Sequence, residues 1–297
     1  MDLPAGNALP ASASRAPAAA LWHVPGALLQ TTSDGRTAFS GGTLAGMKRD
    51  ELVAWLDQYL DIGAYRADPS MNGLQVQGSD EVTKVAVAVD ASLNTFQQAT
   101  SAGADMLIVH HGLFWGQPLA ITGMHRERVK YLLDSQLSLY AAHIPLDAHR
   151  EVGNNWGLAP ILGLKELEPF GEFRGQPIGV KGVFPEAVPI RQLASDIEKQ
   201  LGEQVMVHAG GPPMVRNLGI ISGGAAWDVV TAADQGLDAF LTGEPKHEVF
   251  HHPYEMGINA IYAGHYMTET VGVTLLASKL EDQFGLSTEF ILLPTGL

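Results

Sequence analysis

Residues Met106 to Gly116 read "MLIVHHGLFWG": an apolar run that ends abruptly in two adjacent histidines, followed by a glycine, a leucine and two aromatics. An apolar run without alternation reads as a strand buried on both faces, as in the middle of a parallel sheet. Neighbouring side chains on a strand point to opposite faces, so His110 and His111 converge on one place only if the backbone bends there. Gly112 permits such a bend.

Working outward, the chain alternates. "RDELVAWLDQYL" spaces Leu52, Trp55, Leu56 and Tyr59 as one helical face. "VTKVAVAVDAS" predicts a strand ending at Asp90, and "LNTFQQATSAGA" a helix closed by Gly103. The helix "MHRERVKYLLDSQ" and the strand "LSLYAAH" follow the double histidine. Residues from about Leu164 to His208 are less regular, with a short strand in "GQPIGVKGVFP" and a helix in "PIRQLASDIEKQLG". A second alternating run contains "VRNLGIISGGA", "AWDVVTAADQG", "LDAFLTGEPKH", "INAIYAGH", the helix "TETVGVTLLASKLEDQF" and the strand "STEFILL". The rhythm predicts an α/β protein of two interlinked units, over 47–165 and 166–297, with mixed, largely parallel sheets and right-handed crossovers.

The 297 residues are 46% hydrophobic, enough to bury one large core or two modest ones. Thirty-two acidic residues against 18 basic ones give a formal charge of −14, with no basic patch that would follow a phosphate backbone, so nucleic acid is not an expected partner. Cysteine is absent, which excludes disulfides, thiolate metal sites and cysteine nucleophiles, and leaves His, Asp and Glu as the strong metal ligands. No apolar run approaches the roughly 20 residues of a membrane helix, and the cytoplasm is the simplest compartment. Residues 1–46 are rich in Ala, Pro, Ser and Gly without a sustained period and read as a tail. A signal peptide fits them poorly: the segment lacks a basic start, and Pro25 interrupts its apolar patch. Met47 reads as the start of the fold and is a candidate start of the protein.

Nearly every expected strand ends in small or polar residues: Asp90, His110 with His111, His143 with Asp147 just after, Ser222, Thr242 to Glu244, and His265. Ligands of parallel α/β sheets bind outside the carboxyl ends of the strands. His265 and Glu269 are four apart at a helix start and face one way. Any one of these segments reads as a cap or a hydrogen-bonding group; together they read as one site. His110, His111, Asp147, His265 and Glu269 are the candidate metal ligands, a donor set suited to Zn, Mn, Fe, Co or Ni. Their number argues for two ions sharing a carboxylate, with open positions for water, which is a hydrolytic arrangement.

Three other motifs compete. "HEVFH", His247 to His251, matches the zinc-protease pattern H-E-x-x-H, but Pro245 and Pro253 leave only a short helix, so a lining of the same cleft is the better reading. "SGGAAWD" offers backbone amides to a phosphate or carboxylate, or else its glycines serve close packing. "MNGLQVQG" reads as a turn at Asn72 and Gly73 with a short strand behind it.

The segments "NGLQV", "VAVAVDAS", "LIVHHGLFW", "AAHIPLDAH", "GNN", "SGGA", "LTGEPKHE" and "AGHYMTE" occur in this order between about Met47 and Leu293. In that combination the chain resembles the GTP cyclohydrolase I type 2 homologues, the NGG-one-interacting-factor-three-like proteins. It resembles their compact form, without the inserted middle domain of longer members. The resemblance implies a two-domain α/β protein assembled as a toroidal homohexamer, with a dinuclear metal site facing an internal cavity. It places the ligands on the same five residues: His110 and Asp147 on one ion, His111 and His265 on the other, and Glu269 bridging.

The function implied is a divalent-metal-dependent hydrolase acting on a nucleotide or small phosphorylated compound through activated water. For a GTP cyclohydrolase, the water would open the guanine ring at C8 and release formate. Glu244 and His143 end neighbouring strands and are the candidates for proton transfer, with His247 and Glu248 as outer partners. The alternative is a non-catalytic metal-binding scaffold or metal-trafficking protein.

Overall fold

The computed structural model describes residues 46–297, so the tail expected over 1–46 lies outside the described residues except for Gly46. Strand β1 (Met47–Lys48) leads into α1 (Arg49–Tyr59), and the chain passes β2 (Gly73–Val76) and β3 (Glu81–Val82) before β4 (Lys84–Asp90). The alternation continues through α2 (Leu93–Ser101), β5 (Met106–His111), α3 (Gly123–Asp134) and β6 (Ser138–Ala141). Short helices α4 (Ile144–Ala148) and α5 (Asn154–Ile161) precede the hairpin β7 (Lys165–Phe173) and β8 (Gln176–Pro189). Then come α6 (Ile190–Leu201), β9 (Met206–Ala209), β10 (Met214–Ile220), α7 (Val229–Asp234) and β11 (Ala239–Thr242). The chain closes with α8 (His252–Met256), β12 (Asn259–Tyr262), α9 (His265–Thr268), α10 (Thr270–Phe284) and β13 (Ser287–Phe290).

These elements form two main sheets. The first has the order β13-β4-β5-β6-β2, parallel except where β2 meets β6. Its strands follow a period of two. Val85, Val87, Met106 and Ile108 face Leu52 and Leu56 of α1 and Leu276 and Leu280 of α10, whereas Ala86, Ala88, Leu107 and Val109 face Phe96 of α2 and Leu132 of α3. Both faces are therefore covered, which is why "KVAVAV" and "MLIV" carry no polar alternation. Leu56 has no exposed surface, and its replacement by alanine is expected to cost about 2–5 kcal/mol. Helix α2 begins where the Ser92 hydroxyl accepts the Thr95 N–H at 3.1 Å.

The second sheet has the order β7-β8-β10-β11-β12-β9, with parallel β10, β11 and β12 at its centre and antiparallel partners outside them. Leu193, Ile197 and Leu201 of α6 cover one face together with Leu158 of α5, and Val229 and Ala232 of α7 cover the other. Helix α10 serves both cores, giving Val273 and Leu276 to the first and Val271 to the second. After it, β13 pairs with β4, so the last strand lies in the first sheet. The carboxyl ends of β4, β5, β6, β11 and β12 carry Asp90, His111, His143, Glu244 and His265 respectively, or lead directly into them.

Two local expectations change. The less regular stretch contains a hairpin whose second strand runs 14 residues. Its first strand, "KELEPFGEF", is a mostly exposed edge strand with a proline and a bulge, and so lacks apolar alternation. Gly112 does not have a positive φ. A side chain there would collide with the Gln75 amide and lie 2.7 Å from Ala141 Cβ, so the glycine provides room rather than a bend. Gln75 uses that space to accept the Leu113 N–H at 2.7 Å. No helix among the described residues is long and apolar enough to cross a membrane.

Candidate metal centre

The five expected ligands come together. Glu269 sits between α9 and α10, almost completely buried, and its two oxygens face different histidines. Oε1 lies 3.4 Å from His110 Nε2 and 3.1 Å from His265 Nε2, and Oε2 lies 3.4 Å from His111 Nε2. Asp147, the penultimate residue of the short helix α4, places Oδ2 3.6 Å from His110 Nε2. The ligand atoms fall into overlapping groups: His110 with Asp147 and Glu269, and His111 with His265 and Glu269, with the atoms of each group within 4.8 Å of one another. A third group of the same compactness joins His143 to His110 and His111. The adjacent histidines need not converge on one atom, because the Glu269 carboxylate reaches both.

Each of the four histidines has its other nitrogen engaged. Nδ1 of His110 meets the Ala142 carbonyl at 3.0 Å, and Nδ1 of His111 meets Asp90 at 2.9 Å. Nδ1 of His143 meets Asp68 at 2.9 Å, and Nδ1 of His265 meets Glu244 at 3.1 Å. An acceptor on Nδ1 fixes the proton there and leaves the Nε2 lone pair free, as metal-binding imidazoles require. His110 Nε2 and Glu269 Oε2 are buried without a hydrogen-bond partner among the described residues. Orphaned polar atoms at a cluster of His, Asp and Glu donors fit a divalent ion. The cluster is thus able to hold metal.

In the metal-free cluster the carboxylates draw protons onto the histidines, which a bound ion would have to displace. Burial would keep His110 neutral, but Asp147 and Glu269 outweigh it and push its pKa up to about 9. His265 reaches about 9 in the same way, with Glu269 and Glu244 overcoming burial. Burial would raise Glu269, yet His110, His265 and His111 hold it well below the usual carboxylate range.

Besides Asp90, Ser222 and Glu244, which the strand-end pattern marks, two residues that it does not mark, Asp68 and Asn154, aim the centre. Asp68 opposes its own burial with four hydrogen bonds, from Ser70 N at 2.9 Å, Asn72 Nδ2 at 2.8 Å, His143 Nδ1 at 2.9 Å and Ile144 N at 3.1 Å. These hold its pKa below the usual value. Asn154 donates to Asp147 Oδ1 at 2.8 Å, and the Ser222 hydroxyl donates to the same oxygen at 2.9 Å. Asp-Pro-Ser with Asn72 two residues on is an Asx-turn signature that could have pointed to Asp68. Asn154 lies in the "GNN" segment at the start of α5, seven residues after Asp147, where no strand end marks it.

The rival motifs also resolve. His247 and Glu248 are exposed on a 3-10 turn, His247–Val249, and His251 lies beyond it, so the two histidines do not share an α-helical face. Neither His247 nor His251 joins a metal-ligating group among the described residues, and neither His247 nor Glu248 lines the pocket beside His265. In "SGGA", the amides of Ser222, Gly223 and Ala225 are taken by Asn155, Thr268 and Thr242, and side chains at its glycines would crowd Glu269, His265 and Glu244, which favours close packing as their reason. Gly223 has φ +66°, and a side chain there would run into Glu269 Oε1.

A family model for Duf34/NIF3 (NGG1p interacting factor 3) matches residues 47–295. The chain belongs to this family. Among Duf34/NIF3 relatives, a GTP cyclohydrolase 1 type 2 homolog from Deinococcus radiodurans is 53% identical over 249 residues, covering 84% of this chain and 94% of that one. One of the same name from Pyrococcus horikoshii is 44% identical, covering 84% and 100%. The crystal structure of a Thermus thermophilus protein superposes with a TM-score of 0.79 at 46% identity, again over 84% of this chain and 100% of that one. The mixed α/β fold is that of these Duf34/NIF3 neighbours.

Proposed function

We propose that the chain is a divalent-metal-dependent hydrolase acting on a nucleotide or small phosphorylated compound, with two ions per chain. The observation that carries the proposal is the convergence of the Nε2 atoms of His110, His111 and His265, each with its Nδ1 held by an acceptor, on two buried carboxylates, Asp147 and Glu269. His110, Asp147 and Glu269 would hold one ion, and His111, His265 and Glu269 the other. Bound there, divalent ions supply water activation near neutral pH and charge neutralisation on a phosphoryl group.

The chain's own residues perform the remaining tasks. Glu244 holds His265 through Oε2 and lines the pocket, so it is placed to hold a proton beside the reacting centre. His143, aimed by Asp68, is placed for the same task on the His110 and His111 side. The relatives' name, GTP cyclohydrolase 1 type 2 homolog, suggests a purine nucleotide as the first substrate to try. A toroidal homohexamer in the cytoplasm completes the proposal.

One feature favours the alternative of a metal-binding scaffold for one side of the centre. His110 is completely buried, so an ion on that side would be enclosed. The side chains of His111 and His265 retain 21% and 28% exposure, which suits an ion open to substrate. The test is a turnover screen of metal-loaded protein against nucleotides and phosphoesters with Asp147→Ala as control. Product formation that the control abolishes supports a hydrolase; stable metal retention without turnover of any substrate favours the scaffold.

A further inference from the structure

The exposed side of the centre opens through a pocket of about 230 Å³ walled by Asp90, His111, Glu244, His265, Thr295 and Leu297. The last two belong to a segment after β13 that is fastened at two points by one residue. The phenolic oxygen of Tyr266 accepts the Leu293 N–H at 2.8 Å, and the main-chain N–H of Tyr266 donates to the Leu297 carbonyl at 3.2 Å. Tyr266 is 3% exposed and directly follows His265 in the chain. Gly296 turns the segment at φ +76°. Gly264, at φ +86°, lets it pass: a side chain there would lie 3.2 Å from Glu203 Cγ and 3.5 Å from the Leu297 carbonyl.

We propose that Leu293–Leu297 is a strap that limits the size of ligand admitted to the His111 and His265 side, and that Tyr266 positions it. The inference rests on the proposed function. With the strap in place, the pocket lies below the roughly 300–1,000 Å³ of sites that bury drug-sized ligands. A compact anion such as phosphate fits inside it, whereas a whole nucleoside triphosphate would reach beyond it and press on the strap.

The experiment compares the Mn-loaded full chain with Tyr266→Phe and with a chain ending at Leu293. Three quantities are read: the rate at which EDTA strips the metal, the Kd for inorganic phosphate and the Kd for GTP. Phenylalanine keeps the ring and removes one hydrogen bond, so stripping should quicken about five- to tenfold. The shortened chain should be faster still and should bind GTP about tenfold tighter, with phosphate affinity unchanged. If GTP binds none of the three but the stripping rates separate as expected, the strap stands and the nucleotide reading falls. Unchanged stripping rates, or phosphate and GTP affinities that shift together, would overturn the strap.

Discussion

Asp90 and His111 are register partners on the adjacent parallel strands β4 and β5, and their side chains meet at 2.9 Å through Oδ1 and Nδ1. The sheet therefore builds the alignment: Asp90 ends one strand so that its carboxylate fixes the ring at the end of the next. Asp90→Ala is expected to leave the fold intact, because the side chain is 39% exposed, and to weaken metal binding about 10–100-fold. Competition with a chelating dye measures it. Wild-type affinity in this variant would mean that the carboxylate does not hold the ligand.

Asn154 links the centre to the core. It is fully buried, donates to Asp147 Oδ1 at 2.8 Å and accepts the Gly272 N–H at 2.6 Å. Asn154→Ala would orphan that N–H and release Asp147, at a stability cost of about 1–3 kcal/mol. Thermal unfolding of metal-free protein should show the loss, and metal titration should show weakened binding as well. A stability loss without a binding loss would make Asn154 a purely structural residue.

The strand ends were legible in the sequence because chemistry and periodicity coincide there. "MLIV" and "KVAVAV" are apolar on both faces, so the first polar residue after each run marks the carboxyl edge of the sheet. His265 and Glu269 were legible because four residues make about one helical turn. Of the aiming groups, Asp90, Ser222 and Glu244 share the strand-end signal, whereas Asn154 does not: it stands on a helix, and its bonds to Asp147 and Gly272 join residues 7 and 118 apart, which no strand pattern records. The edge strand β7 escaped because an exposed edge carries no burial pattern to read. Gly112 and Gly223 stand out in the sequence only as glycines; their purpose lies in side chains of Gln75 and Glu269 that the fold brings near.

The metal-free chain should respond to pH in opposite senses in stability and in metal affinity. His110 and His265 are raised from 6.5 to about 9, so their contribution to stability is complete below 6.5 and is lost as pH rises through 9. Glu269 is lowered from 4.5, so its contribution is present above 4.5 and is lost as pH falls toward its depressed value. Thermal midpoints of metal-free protein should thus be highest between these limits and decline toward alkaline pH. Metal affinity should rise over the same alkaline range, because bound metal must displace the protons on both histidines. Calorimetry at pH 7 in buffers of different ionisation enthalpy should register release of about two protons per chain at saturation. Release of none would mean that the two imidazoles are already neutral.

Glu244 stands at the boundary between holding a ligand and taking part in a reaction. Oε2 lies 3.1 Å from His265 Nδ1, while Oε1 is 3.2 Å from where a side chain on Gly224 would begin, at the pocket wall. Glu244→Gln keeps an acceptor for the imidazole N–H but removes the ability to carry a proton. If proton transfer is its task, metal content should be unchanged while turnover falls about 10²–10⁴-fold. If its task is orientation alone, the glutamine variant should keep both metal and turnover, and Glu244→Ala should lose metal affinity instead. Measuring metal content, kcat and the pH profile in both variants separates the two roles. Removal of metal by chelator should abolish turnover in every case, and a serine-directed covalent inhibitor should not, since the proposed chemistry includes no covalent nucleophile. Full turnover in metal-free protein would end the hydrolase proposal.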